Sequence, residues 1–455
     1  MKKSGEVNLG SGSVGKALMT LAIPAILSQL VNLLYNMVDR MYIGHIDQVG
    51  SIALTGLGVT FPIIMIISAC SFLFGACGAP RASIYMGKQD NKTAEKILGN
   101  CFISLVISAL VLTVLVLCFA EPVLMLFGAS ENTLPYALSY INIYAIGTIC
   151  VMLTLGMNQF ISAQGFSKVS MMTVVIGAVI NIILDPIFIF GLNMGVRGAA
   201  LATILSQGVS AIWTLRFLTG KETTLHLRKE NFQVSKEILL PCISLGIAPF
   251  AMQSTESILV LCFNSSLLKY GGDVAVGTMT ILSSVMQFGM LPLQGITQGG
   301  QPLISYNFGA KNGNRVKKAF KLQTLACVAY TATIFVLVML VPQMFIKIFT
   351  PDLELISMAT WAIRIYMACI ILMGVQVSCQ QTFIAFGNAK VSAFLAIFRK
   401  IIVLIPLIYI LPVFLSDKVF AVFLAEPIAD VIAVTTTTTL FIREYKMLDE
   451  RMAQM

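Results

Sequence analysis

The chain has 455 residues, 57% hydrophobic and only 11% charged, with a mean hydropathy of +0.87 and a formal net charge of +9. Soluble domains carry about 25% charged residues, so this composition excludes an ordinary soluble domain and reads as an all-α integral membrane protein. The positive excess falls at the ends of apolar segments, where it reports topology rather than nucleic-acid binding.

A spanning helix needs roughly 20 mostly apolar residues. Twelve segments qualify, near 17–43, 52–77, 97–119, 136–161, 171–192, 198–219, 238–264, 275–298, 323–346, 359–384, 393–415 and 419–442. Segment 1 follows the polar start MKKSGEVNLGSGSVGK, is too long for a signal-peptide core and shows no small-residue cleavage site, so it reads as a retained span. An even count puts both termini on one side. Twenty-four Lys and Arg fall on that side, from Lys2 and Lys3 to Arg451, against six on or near the other. Arg399 and Lys400 are counted with the twenty-four, at the inner end of segment 11. The expectation is a multi-pass protein of the plasma membrane with both termini in the cytoplasm.

Segment 1 carries Gln29, Asn32, Asn36 and Asp39 on one helical face, flanked by Tyr35. Segment 5 reads AVINIILDPIFIFG from Ala178 and places Asn181 and Asp185 one turn apart. Pro186 removes an amide, which frees the carbonyl of Ile182 beside that carboxylate for a cation or a water. Segment 6 adds Thr203, Ser206, Gln207 and Ser210. Counting turns puts Asp39 and Asp185 in the same half of the bilayer, where they could converge. An acid within a span is costly, about 2.5–3.5 kcal/mol near the centre, and usually faces a bundle interior or an aqueous cavity. The bland alternative for Asp185 is a packing bond to Asn or Tyr, and for Asp39 an interfacial ion pair with Arg40.

The chain then repeats itself. PRASIYMGKQDNK at 80–92 and PLISYNFGAKNGN at 302–314 align at an offset of 222, and the same offset maps Tyr144 onto Tyr366 and Gln159, Gly165, Lys168, Val169 and Ser170 onto Gln381, Gly387, Lys390, Val391 and Ser392. Six helices per repeat predict two parallel six-helix bundles related by a pseudo-twofold along the membrane normal. The expected division is a bundle over 1–220 with the cation site, a cytoplasmic linker over 221–237 and a bundle over 238–455.

The second half departs from the pattern. Asn181 and Asp185 fall on Val403 and Leu407, and its acids are Glu256, with Gln253 and Ser257 on a short polar face of segment 7, and Glu426 and Asp430 on segment 12. Asp430 could be an ion-pair partner of Arg399. Segment 8 presents Ser283, Gln287, Met290 and Gln294 on one face. Methionine suits a pocket for varied apolar ligands and equally fills gaps. The candidate substrate cavity is therefore Gln29, Asn32, Tyr35, Asn36, Gln253, Glu256, Ser283, Gln287 and Met290. All ten cysteines fall in or at the ends of the segments, and read as small apolar packing residues rather than a disulfide framework. No phosphate loop, catalytic triad, Cys/His metal spacing or potassium-type filter stretch occurs, so an ion gradient is the expected energy source and no enzyme is expected.

The stretches LAIPAILSQLVNLLYNMVDRMYIG, PRASIYMGKQDNKTAEK and NIILDPIFIFGLNMGVRGAALAT together resemble the multidrug and toxic compound extrusion (MATE) family over nearly the whole chain, and within it the bacterial branch of DNA-damage-inducible and staphylococcal-type multidrug members. The resemblance implies twelve helices in two bundles, a monomer in the lipid membrane, no cofactor, and export of organic cations and other toxic compounds in exchange for H⁺ or Na⁺. It implies a coupling site, for a proton or a candidate Na⁺, at Asp39, Asn181, Asp185 and Thr203. In other branches a Glu matching Glu256 takes part, with a further acid on helix 10. The stretch from Trp361 to Phe383 holds no carboxylate, which favours the N-terminal site. Two other readings are a lipid-linked oligosaccharide flippase of the same broader superfamily, which would carry a cationic cavity, and a channel or receptor.

Overall fold

The computed structural model describes residues 6–46 and 49–454, the side chains of Ser51, Ser257 and Gln454 excepted. Lys2, Lys3 and the hydroxyl of Ser257 therefore lie outside the described residues. All regular structure among the described residues is helical. The long elements are α1 (Val14–Gly44), α2 (Gly50–Gly87), α3 (Asn91–Leu126), α4 (Leu134–Ile146), α5 (Thr148–Ala163), α6 (Ser167–Pro186) and α7 (Val196–Thr219). They are followed by α8 (Lys236–Gly309), α9 (Gly313–Leu340), the short α10 (Pro342–Ile346), α11 (Leu353–Tyr366), α12 (Ile370–Ala385), α13 (Ala389–Ile397), α14 (Ile405–Phe414), α15 (Lys418–Lys446) and α16 (Leu448–Gln454).

The offset of 222 found in the sequence governs the backbone. The first residues of α1, α3, α5, α6 and α7 lie 222 before those of α8, α9, α12, α13 and α15. Asp90 and Asn312 cap α3 and α9 at equivalent positions, each accepting from the amide three residues on. The left-handed residues Gln89 and Lys311, with φ of 64° and 57°, are likewise equivalent, as are Gly165 and Gly387 at 93° and 72°. The α4–α5 and α11–α12 pairs bend by 58° and 49° at short breaks.

This register settles how to read α8. At 74 residues it would be about 110 Å long if straight, several times the hydrocarbon thickness of about 30 Å. It breaks at Gly272, whose φ of 64° is left-handed. Gly272 is the equivalent of Gly50, the first residue of α2, so α8 is the α1–α2 pair of the second half joined end to end. Nine helices, or eleven elements with each bent pair taken as one, are long and apolar enough to cross a membrane among the described residues. Counting α8 as two crossings brings the number to twelve.

Each half has its own apolar core. One centres on Leu98, Leu105, Ile141, Phe160 and Phe166, the other on Phe263, Leu282, Ile363 and Phe423. The start of α1 is an exception: Val14, Leu18 and Leu21 pack with Phe308, Phe383 and Phe441 of the second half. The halves close on each other at the face that carries both described termini. There a Cβ on Gly87 would lie 2.0 Å from the Tyr306 carbonyl oxygen, and one on Gly309 would lie 1.9 Å from that of Ile84. Only glycine permits this backbone crossing, and the two glycines are again 222 apart. Residues 6–12 strap over the same face. Val7 N donates to Gly165 O at 3.2 Å on one half, while the Arg315 guanidinium of the other donates to the carbonyls of Leu9, Ser11 and Gly12.

All ten cysteines are free, and Cys77, Cys101, Cys242, Cys327 and Cys379 are buried. Cys118 is exposed and the other four are half-buried.

Candidate functional site

The far end of the first half, away from the termini, gathers the acids. Asp39 is 8% exposed and Asp185 is fully buried. On α6 the Asn181 amide Nδ2 donates to Asp185 Oδ1 at 3.2 Å, and the Asp39 and Asp185 carboxyls neighbour one another. Pro186 ends the regular helix, which widens into a π turn over Ile187–Gly191, with Leu192 N donating to Ile187 O at 2.8 Å. Thr203 of α7 is also buried, and its hydroxyl is spent as a donor on Ala199 O at 3.0 Å, leaving lone pairs to accept. Arg40 does not pair with Asp39. Its guanidinium lies 5.7 Å from the Phe61 ring centre instead.

Three oxygens of this cluster are buried without a hydrogen-bond partner: Asp39 Oδ1, Asn181 Oδ1 and Asp185 Oδ2. Each such atom costs about 1–3 kcal/mol, and folded proteins hold few of them. Three on neighbouring side chains form an acceptor-rich shell suited to a proton shared by carboxyls or to a hard cation. Among the described residues no three His, Cys, Asp or Glu side chains gather as a metal centre. The donor set is a carboxyl pair supplemented by amide and hydroxyl oxygens.

Tyr35 adjoins both this cluster and a cavity of about 150 Å³. Its ring neighbours Asp39, Asp185 and Gln207 and also lines the cavity with Gln29, Asn32, Asn158, Gln207 and Gln298. Gln29 Nε2 donates to Gln298 Oε1 at 3.1 Å, so the cavity touches both halves. Tyr140 and Tyr144 of α4 stack at 6.0 Å, and Tyr140 neighbours both Asp39 and Thr203. The sequence reading did not include these two tyrosines in the site. Their i, i+4 spacing was the available signal.

The larger expected cavity is not formed as one space. Gln29, Asn32 and Tyr35 line the cavity; Asn36, Gln253, Glu256, Ser283, Gln287 and Met290 do not. Asn36 Nδ2 turns back to Asn32 O at 2.6 Å. Gln253 Nε2 donates to Met65 Sδ at 2.9 Å, and Met290 packs against Leu293, Cys327 and Met373. Gln287 is exposed and Ser283 half-buried on α8 of the other half.

The second half holds a charge cluster whose placement corrects the reading of Arg399 and Lys400. They are not at a helix end. They sit in a π-helical stretch, Phe398–Leu404, about 15 Å inside a span that begins at Ala389. Two of the twenty-four cations assigned to the terminal side are therefore intramembrane. Arg399 donates to Asp430 Oδ1 at 2.9 and 2.7 Å and to Glu426 Oε1 at 2.5 Å. Lys400 pairs with Glu256 and donates to Met252 O at 2.8 Å. The Tyr366 ring neighbours these acids. Tyr144, its counterpart 222 residues earlier, neighbours Tyr35 instead. With a carboxylate on each cation, the cluster lacks the net positive cavity that a pyrophosphate flippase would need.

A polytopic helical membrane protein, with a buried carboxyl pair beside a polar cavity, is what these elements define. Residues 24–187 and 249–410 match the MatE family model, and the chain belongs to the MatE family. It is 26% identical over 423 residues to multidrug export protein MepA of Staphylococcus haemolyticus, covering 92% of each chain, and 25% identical over 415 residues to that of Staphylococcus aureus strain N315, covering 91% of each. Its fold matches a crystal structure of MATE in the bent conformation with a TM-score of 0.93, at 23% identity and full coverage of both chains. An outward-facing multidrug resistance MATE family transporter of the MOP superfamily gives 0.91, at 23% identity over 98% of this chain and 99% of that one.

Proposed function

We propose that this protein is a cation-coupled antiporter that exports organic cations and other toxic compounds by alternating access. The observation that carries the coupling mechanism is the trio of unpartnered buried oxygens on Asp39, Asn181 and Asp185. H⁺ or Na⁺ binds there, with Thr203 as a further ligand. Binding lowers the negative charge of the carboxyl pair by one and alters how Tyr35 and Gln207 line the cavity. Ion and substrate then weaken each other's binding, as exchange requires. The export of toxic compounds follows from the likeness to multidrug export protein MepA, which spans nine-tenths of both chains.

The two six-helix bundles, 1–220 and 238–455, rock about the crossing at Gly87 and Gly309, with 221–237 as the connecting linker. The protein works as a monomer in the plasma membrane with both termini in the cytoplasm. The glycine crossing then closes the inner side.

The test is efflux of a cationic dye from proteoliposomes, driven separately by a proton and a sodium gradient, with wild type beside Asp185→Asn. Efflux driven by one gradient and lost in the variant supports the reading and names the ion. Dye efflux that the variant retains in full, in well-folded protein, removes the coupling role from this site.

A further inference from the structure

A second cleft, about 370 Å³ in volume, lies at the terminal face between the halves. The face of α2 gives it Arg81, Tyr85 and Lys88, at helical spacing, and the second half gives Phe308, Phe386 and Arg451. Nothing in the transport mechanism above uses it.

Its charges are not balanced. Arg451 pairs with Glu444. Among the described residues no carboxylate pairs with Arg81 or Lys88. The Lys88 ammonium lies 5.4 Å from the Tyr85 ring centre, at the rim. Arg81 is half-buried at the inner end, and its Nε is buried without a hydrogen-bond partner. The Cys242 thiol lies beside it, but a thiol is too weak an acceptor to stand in for a counter-charge. A buried guanidinium nitrogen with no hydrogen-bond partner is costly, and the planar fork matches the oxygens of a phosphate. Phe308 and Phe386 flank the cleft with apolar surface, which favours a charge-assisted hydrogen bond at its half-buried end.

We propose that this cleft binds a phosphate-bearing anion, either the headgroup of an acidic phospholipid or free phosphate. The bound anion bridges Arg81 and Lys88 of the first half to Arg451 of the second. It would thereby favour the conformation in which the halves are closed at this face, since a ligand shifts an equilibrium toward the state it binds better. The site is separate from the carboxyl pair and does not depend on which ion or substrate is carried.

The experiment uses the full chain in detergent micelles, with wild type, Arg81→Gln and Lys88→Gln. Native mass spectrometry compares retention of phosphatidylglycerol and phosphatidylcholine, and thermal unfolding is followed with and without inorganic phosphate at constant ionic strength. The expected result is one phosphatidylglycerol retained per chain in preference to phosphatidylcholine. The preference should fall about tenfold in Arg81→Gln and about threefold in Lys88→Gln. Lys88 is exposed, so that variant carries the test even if Arg81→Gln folds poorly. Stabilisation by inorganic phosphate, lost in the variants, supports the same site with a soluble ligand. Equal retention of both lipids with no response to phosphate overturns the proposal, as does an anion preference that both variants keep.

Discussion

Replacing Arg399 by methionine takes away the cation that faces two buried carboxylates. Glu426 and Asp430 are 4% and 1% exposed, and both bond to the guanidinium at 2.5–2.9 Å. At an effective dielectric of about 20, unit charges roughly 3 Å apart attract by about 5 kcal/mol, and much of that repays their desolvation. The cost of removing one partner is a different quantity, because the remaining charges stay buried. It runs to about 3–5 kcal/mol, and two stranded carboxylates put this case at the upper end. Lys400→Met is the internal control. Its partner Glu256 has a side chain 62% exposed and is far less enclosed by protein than Glu426 and Asp430, so the expected cost is smaller, about 1–2 kcal/mol. A triple variant that adds Glu426→Gln and Asp430→Asn to Arg399→Met should recover most of the loss. Unfolding titrations in mixed micelles with increasing SDS fraction would measure all three. Equal losses in Arg399→Met and Lys400→Met, or a triple variant no better than the single one, would refute the reasoning.

Other consequences concern the terminal face. Gly309→Val sets side-chain atoms against the Ile84 carbonyl, where a Cβ alone would lie 1.9 Å away. It should hold the halves apart, and hydrogen exchange of the amides at 84–88 and 306–310 should speed up; unchanged protection would mean that the crossing adapts. Arg315→Gln removes the donors to the carbonyls of Leu9, Ser11 and Gly12. It should expose residues 6–12 to proteolysis while leaving the helices intact by circular dichroism. Asp90→Ala loses the cap on Thr93 N, a bond of 3.0 Å, and should cost about 1 kcal/mol in the same unfolding titration. The Thr93 hydroxyl and amide hold the Asp90 carboxyl below the usual carboxylate range. Its contribution is therefore complete above the ordinary value of about 3.9 and fades as the pH falls through the lower folded value. An Asp90→Ala difference that grew on acidification would contradict this.

The local parts of the site were legible in the sequence because they are matters of helical spacing. Asn181 and Asp185 are one turn apart on one helix, and their hydrogen bond needs no other element. The duplication was legible too, since one offset holds through caps, left-handed turns and helix starts alike. What spacing cannot show is which faces meet. Tyr140 reaches Asp39 only because α4 packs against its neighbours in the first half, and Gln253 and Met290 miss the cavity because their helices turn to other partners. Arg399 and Lys400 are the sharpest case. Read along the chain, two cations in an apolar run belong to the nearest helix end, since a lone charge in hydrocarbon is costly. In the folded chain their counter-charges come from α8 and α15; Asp430 was a candidate partner of Arg399 in the sequence, whereas Glu426 and, for Lys400, Glu256 were not. The sequence by itself determined the helices, their repeat and the stripes of polar residues on each. Only the tertiary structure decided which charges cancel and which oxygens are left without a partner, because those depend on distances between helices that no single helix specifies.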